Sequence, residues 1–181
     1  MHRRWVLRAV AAAPFLAAVL AAAWWFFWTS PVTYPGDGEF GVIVSSASAE
    51  KPYTAGSFSL CLDGVESATV DAVTVDDGGL IVTAFAVRQQ PEPPAMGLGF
   101  TQQTLTSTGF GTGRTITGQC GEGQGSEIGV EVIKPTTATA RTDVLFVHWT
   151  AGLRSGTVQV PMHYVLCEHD GSADPDCERI R

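Results

Sequence analysis

The chain has no asparagine and therefore offers no N-glycosylation sequon. It has no G-x-S-x-G, which excludes the nucleophile elbow of α/β-hydrolases. None of the histidines beyond residue 30 (His148, His163 and His169) is spaced against a serine and a carboxylate so as to mark a catalytic triad. There is no CxxC pair, the usual opening of a structural zinc site. No methionine follows Cys167, so Cys167, His163 and His169 lack the weak axial ligand of a blue-copper centre. Asp170, Ser172, Asp174, Asp176 and Glu178 alternate as a calcium loop begins, but Pro175 stands where that loop requires glycine, and a solvated acidic tail is the plainer reading. The glycine-rich stretches 109–113 and 121–125 do not stand between a strand and a helix, as a phosphate-binding loop must, and read as loop punctuation. Basic residues are scarce. The formal charge is −7, and since Arg3, Arg4 and Arg8 supply +3, the remainder carries −10. Such a chain is a poor partner for nucleic acid, whose phosphates need clustered Lys and Arg. These absences predict a non-enzymatic protein without catalytic, cofactor-binding or metal-binding residues.

One further absence is positive information. From Ala9 to Trp28 no side chain is charged, and about 20 apolar residues in a helix span the hydrocarbon of a bilayer. Arg3, Arg4 and Arg8 precede the block, which keeps the N-terminus in the cytoplasm and exports the rest. Trp24, Trp25, Phe26, Phe27 and Trp28 close it, as aromatic rings do at the headgroup boundary. Residues 1–30 are thus expected to be a basic tip and a transmembrane anchor. The alternative is a signal peptide cleaved near Ala23, since Ala21, Ala22 and Ala23 offer a small-residue site.

The cysteines are Cys61, Cys120, Cys167 and Cys177, all beyond the apolar block, in a compartment where disulfides persist. Four cysteines allow three pairings, and spacing alone does not choose among them. Gly171 and Pro175 turn the chain between Cys167 and Cys177, which favours that pair and leaves Cys61 for Cys120.

Residues 31–55 hold Pro31, Pro35, Gly36 and Gly38 and read as a stalk with one short strand at 40–44. From residue 56 the period becomes two. Phe58, Leu60 and Leu62 alternate with Ser57, Ser59 and Cys61. Residues 69–75 change apolar phase between Val70 and Val73, which predicts a bulge or a bend. The turn residues Asp76, Asp77, Gly78 and Gly79 then lead to the apolar run 80–87, and the two segments together read as a hairpin. Leu98, Phe100 and Leu105 are expected to be buried, and a short strand is expected within 114–120. Ile128, Val130 and Val132 alternate in a further strand, and 144–149, apolar at both phases, reads as a central one. Residues 157–167 form the longest strand, with Pro161 marking an edge or a bulge. The chain is therefore expected to be all-β: an antiparallel β-sandwich over 56–168, of immunoglobulin-like topology, followed by an acidic polar tail over 169–181. No tryptophan lies between Cys61 and Cys120, which speaks against an antibody-type domain.

The order of anchor, stalk, Cys61-Leu62-Asp63-Gly64, the strand at 127–133 and a closing strand ending Val165-Leu166-Cys167 resembles uncharacterised single-pass envelope proteins of GC-rich bacteria. That resemblance implies location and architecture and carries no activity. The expected function is an interaction module, tethered to the membrane and contacting an envelope protein or cell-wall component. The alternative is a small-ligand or metal-ion binding protein of the envelope.

Overall fold

The alternating residues Phe58, Leu60 and Leu62 all point into the protein from one ten-residue strand, Tyr53–Leu62. The same logic builds the rest of the fold in the computed structural model, which describes residues 18, 29–36, 40–89, 102–121, 125–168 and 175–178. In chain order the strands are β1 (Val32–Thr33), β2 (Phe40–Val44), β3 (Tyr53–Leu62), β4 (Ala68–Val75), β5 (Ile81–Gln89), β6 (Thr115–Ile116), β7 (Ser126–Ile133), β8 (Ala140–Ala151) and β9 (Arg154–Leu166). They form two sheets, one ordered β1-β3-β7-β5 and the other β2-β9-β8-β4-β6. Pairing between these strands is antiparallel except for β2 and β9, which run parallel from Phe40 opposite Met162 to Val44 opposite Leu166.

The two sheets share one apolar core. Leu60, Leu62, Ile128, Val130 and Val132 enter it from the first sheet, and Val70, Leu145, Val147, Val160, Met162 and Leu166 from the second. Each such side chain contributes about 1.5–3 kcal/mol by leaving water. Both layers are therefore held by the alternation that the sequence displays.

Several expectations hold in detail. The β4–β8 register slips between Val70 and Ala72, at the predicted change of phase. The β8–β9 register slips between Thr142 and Val144, beside Pro161, and β2 pairs with β9 only from Met162 onward. β8 lies between β9 and β4, in the middle of its sheet. Its outer side chains Phe146, His148 and Thr150 are nonetheless only half-buried, so the strand is central without being covered on both faces. The β8–β9 hairpin turns at Gly152 and Leu153, with Gly152 at φ +60, the left-handed value that the first position of a type II′ turn demands.

Three expectations are corrected. Residues 69–87 are not a hairpin. β4 pairs with β8 and β6 while β5 pairs with β7, so the turn at 76–79 carries the chain from one sheet to the other. Residues 31–55 are not simply a stalk either. They supply β1, the expected strand β2 and the start of β3, and they bury Val32, Ala47, Tyr53 and Ala55. Proline and glycine break helices but are compatible with short edge strands, which is where these strands lie. The expected strand within 114–120 is reduced to two residues.

The apolar block 9–28 lies outside the described residues except for residue 18, as do Leu98, Phe100, His169 and most of the acidic tail. Among the described residues no helix is long and apolar enough to cross a membrane.

Candidate functional site

The outer face of the five-stranded sheet is a ruled array. Antiparallel pairing sets Thr74 beside Phe146 and Phe146 beside Gln159; in the next row it sets Ala72 beside His148 and His148 beside Thr157. A third row sets Thr69 beside Thr150 and Thr150 beside Ser155. The inward positions of the same strands are Val147, Trp149 and Val160, so the period of two sorts core from face. None of these outward side chains is formally charged at neutral pH.

Hydrogen bonds hold the array in place. The His148 ring lies between two hydroxyls, with Nε2 3.1 Å from Thr74 Oγ1 and Nδ1 3.0 Å from Thr157 Oγ1. In a neutral imidazole one nitrogen donates and the other accepts, so one threonine receives a proton from the ring while the other gives one. Thr150 Oγ1 donates to Asp71 Oδ2 at 2.7 Å, with Asp71 set out by the β4 bulge. At the far end of the face His163 Nδ1 lies 2.5 Å from Asp143 Oδ1, and the Asp143 N–H donates to Asp76 Oδ2. Leu153, at the tip of the hairpin, is 100% exposed.

Part of the outer face of the four-stranded sheet is covered by its own chain, while Ile81 and Thr83 on β5 stay exposed. A 3-10 turn, Leu105–Thr108, and Phe110 lie across it, and Leu105 and Phe110 pack on Ala84 and Ala86. Gly129 makes this possible, since a Cβ there would come 2.7 Å from both Leu105 and Phe110. The backbone N–H of Leu105 donates to Glu131 Oε2, and Thr54 Oγ1 donates to the carbonyl of Gln103. Beneath the flap, Arg88 Nε meets Glu127 Oε2 at 2.5 Å, and the guanidinium lies 4.1 Å from the Phe110 ring centroid. Glu127 is 2% exposed, while Arg88 Nη2 is buried without a hydrogen-bond partner among the described residues.

Two buried polar side chains secure the end of β9. Lys134 Nζ donates to the carbonyls of Thr137 and Cys167, each at 2.9 Å. Burial lowers its pKa below the ordinary lysine value, and the Glu168 carboxylate partly offsets this. Tyr164 is fully buried, with its hydroxyl donating to Met162 Sδ at 3.3 Å. Burial pushes the Tyr164 phenol well above its ordinary pKa of 10.0, and the Tyr34 hydroxyl adds to that shift. The folded protein then keeps a proton that the unfolded chain releases above pH 10, so stability is intact below pH 10 and falls above it. The expected loss from this group is about 1.4 kcal/mol per pH unit. Urea titrations of the full chain between pH 9 and 12 should show that fall, and Tyr164→Phe should flatten it. An unchanged slope in the variant would assign the alkaline loss elsewhere.

The four cysteines are joined as expected, Cys61 with Cys120 and Cys167 with Cys177. Cys167 is thereby removed as a metal ligand, and His163 is engaged with Asp143. Among the described residues no three His, Cys, Asp or Glu side chains come together as a metal would require. The threonine and histidine rows were not singled out by sequence. Their signal is the alternation of Phe146, His148 and Thr150 with the buried Val147 and Trp149. Compared with protein-family models, with curated proteins and with solved structures, the chain matches none of them.

Proposed function

We propose that this protein is a non-enzymatic interaction module of the cell envelope, held to the membrane by its N-terminal segment and engaging an envelope protein or cell-wall component. The observation that carries this reading is the outer face of the five-stranded sheet. It is open, its central rows carry no Lys, Arg, Asp or Glu, and hydrogen bonds between His148, Thr74 and Thr157 fix those rows, whereas part of the opposite face is closed by Leu105 and Phe110. A face whose side chains are already held loses little rotamer freedom when a partner docks. The extracytoplasmic location is supported by the two disulfides, which persist in oxidising compartments. The tether is supported by Arg3, Arg4 and Arg8 ahead of an uncharged run. The same features suit the likeness to single-pass envelope proteins.

The immunoglobulin-like reading of the topology belongs to the same proposal. Taking β1, β3, β7 and β5 as strands A, B, E and D, and β9, β8 and β4 as G, F and C, gives the strand order of a constant-type domain. The chain departs from that pattern in three ways: Cys61 on β3 bonds to a loop residue and not to β8, β6 is added beside β4, and β2 is added in parallel beside β9.

A photo-reactive amino acid placed at Thr157, on the open face, should capture a specific partner in intact cells. The same probe at Thr106, on the flap, should capture little. Equal yields at the two positions would overturn the assignment of the face. Carbonate washing of membranes tests the tether, because a soluble product lacking its first twenty-odd residues would mean cleavage near Ala23.

A further inference from the structure

We infer that the partner of the open face is an uncharged polysaccharide, with one sugar ring seated on Phe146 and its hydroxyls met by the flanking rows. This inference rests on the interaction-module reading and names its ligand class.

Charge narrows the class first. The chain carries −7, yet Thr74, Phe146, Gln159, His148, Thr157 and Thr150 include no Lys, Arg, Asp or Glu. A polyanion finds no cation among the rows, and at their margins the two carboxylates of Asp71 and Asp143 outnumber the one cation, Arg141. A polycation finds only those marginal carboxylates.

Hydrogen-bond polarity narrows it further. A hydroxyl has one donor and two acceptor positions. The threonine that receives a proton from His148 still has its own O–H to give, and the one that gives its proton to His148 still has a lone pair to offer. Exchange of the ring tautomer swaps the two roles and leaves the face with both. Gln159, beside Phe146, adds an amide that donates and accepts. A surface offering donors and acceptors in alternation, without charge, is complementary to a ligand built of hydroxyls.

Geometry supplies the third argument. Neighbouring strands are about 5 Å apart and outward residues along a strand about 7 Å apart, which is the scale of a single sugar ring. Phe146 lies at the middle of its row, between Thr74 and Gln159. A half-buried aromatic ring removes the apolar C–H face of a sugar from water while the polar neighbours take its hydroxyls. Protein partners are anchored differently, by Trp, Tyr and Arg in desolvated pockets, with Thr and Ser under-represented.

The test uses the full chain in native gels containing hydroxyethylcellulose, glucomannan or arabinogalactan, with heparin as the anionic control. At least one neutral polysaccharide should retard the chain and heparin should not. Phe146→Ala and the isosteric Thr157→Val should each weaken retardation tenfold or more, while Thr106→Ala on the covered face should leave it unchanged. Thr157→Val keeps the volume of the side chain, so its failure to bind is not a failure to fold. The inference is overturned if no neutral polysaccharide retards the chain, if heparin retards it equally, or if both face variants bind like the parent. Photo-capture of a protein at Thr157 without polysaccharide retardation would leave the module and remove its ligand. Absence of both would remove the two together.

Discussion

Replacing Arg88 by alanine is expected to cost about 3–5 kcal/mol of stability, the penalty of leaving a buried charge without its partner. Glu127 is 2% exposed, and the Arg88 side chain, at 17%, is its counter-ion. The loss also removes the stacking of the guanidinium on Phe110, worth about 0.5–2 kcal/mol in such settings. For a domain of this size the melting temperature should fall by about 10–15 °C. The sign of the double replacement is the sharper check. Arg88→Met with Glu127→Leu removes both charges and should recover most of the loss, because a hydrophobic pair need not be desolvated. If Arg88→Ala and the double variant were equally unstable, packing beneath the flap would be the cause and the ion pair would not.

The second large effect is that of the Cys61–Cys120 bridge. It closes a loop of 59 residues, and the chain-entropy relation assigns such a crosslink about 4 kcal/mol. Cys167–Cys177, with a separation of 10, is worth about 3 kcal/mol on the same relation. A single domain holds a stability of about 5–15 kcal/mol in total, so reduction of the first bridge removes a large fraction of it. Urea denaturation of a Cys61→Ser, Cys120→Ser variant should show a midpoint well below that of a Cys167→Ser, Cys177→Ser variant. The reverse order would mean that the loop around Cys120 is held by its hydrogen bonds alone. Those bonds are Leu62 N–H to the Gly118 carbonyl, Cys120 N–H to the Leu62 carbonyl, and the Gln119 side chain to the Val65 carbonyl.

How far the fold was legible depends on the reach of each interaction. The alternation of Phe58, Leu60 and Leu62, the change of phase at Val70 and the interruption at Pro161 are local signals, and each is realised where it stands. The turn at 76–79 was equally local in chemistry but ambiguous in consequence. Asp76 and Gly78 reverse the chain, yet nothing near them says whether the returning strand joins the same layer. That is decided by β7 and β8, whose residues come at least 37 positions after Ile81–Gln89. The parallel pairing of Val42 with Tyr164 spans the whole domain and has no local signature, which is why β2 looked like a piece of stalk. The charged interior was hidden for another reason. Glu127 and Lys134 occupy positions where a strand or loop ordinarily faces water, and only the flap and the end of β9 cover them. The open face was half legible. His148 was recognised as a histidine without a triad, but its threonine neighbours lie on two other strands, and only the register brings them to it.

The parallel pairing of β2 with β9 also fixes how the domain answers mechanical load. A pull from the residue 31 side meets the two-residue strand β1 first and, once that has parted from β3, the start of β2, while a pull on the tail reaches the end of β9 through the Cys167–Cys177 crosslink. In a parallel pair these two forces slide the strands lengthwise, so the five residue pairs from Phe40–Met162 to Val44–Leu166 bear the load together. An antiparallel hairpin pulled at its open end would instead unzip, each pair yielding in turn. The two ends of the domain are thus joined by a shear contact, the arrangement that resists drag between a fixed support and a moving load.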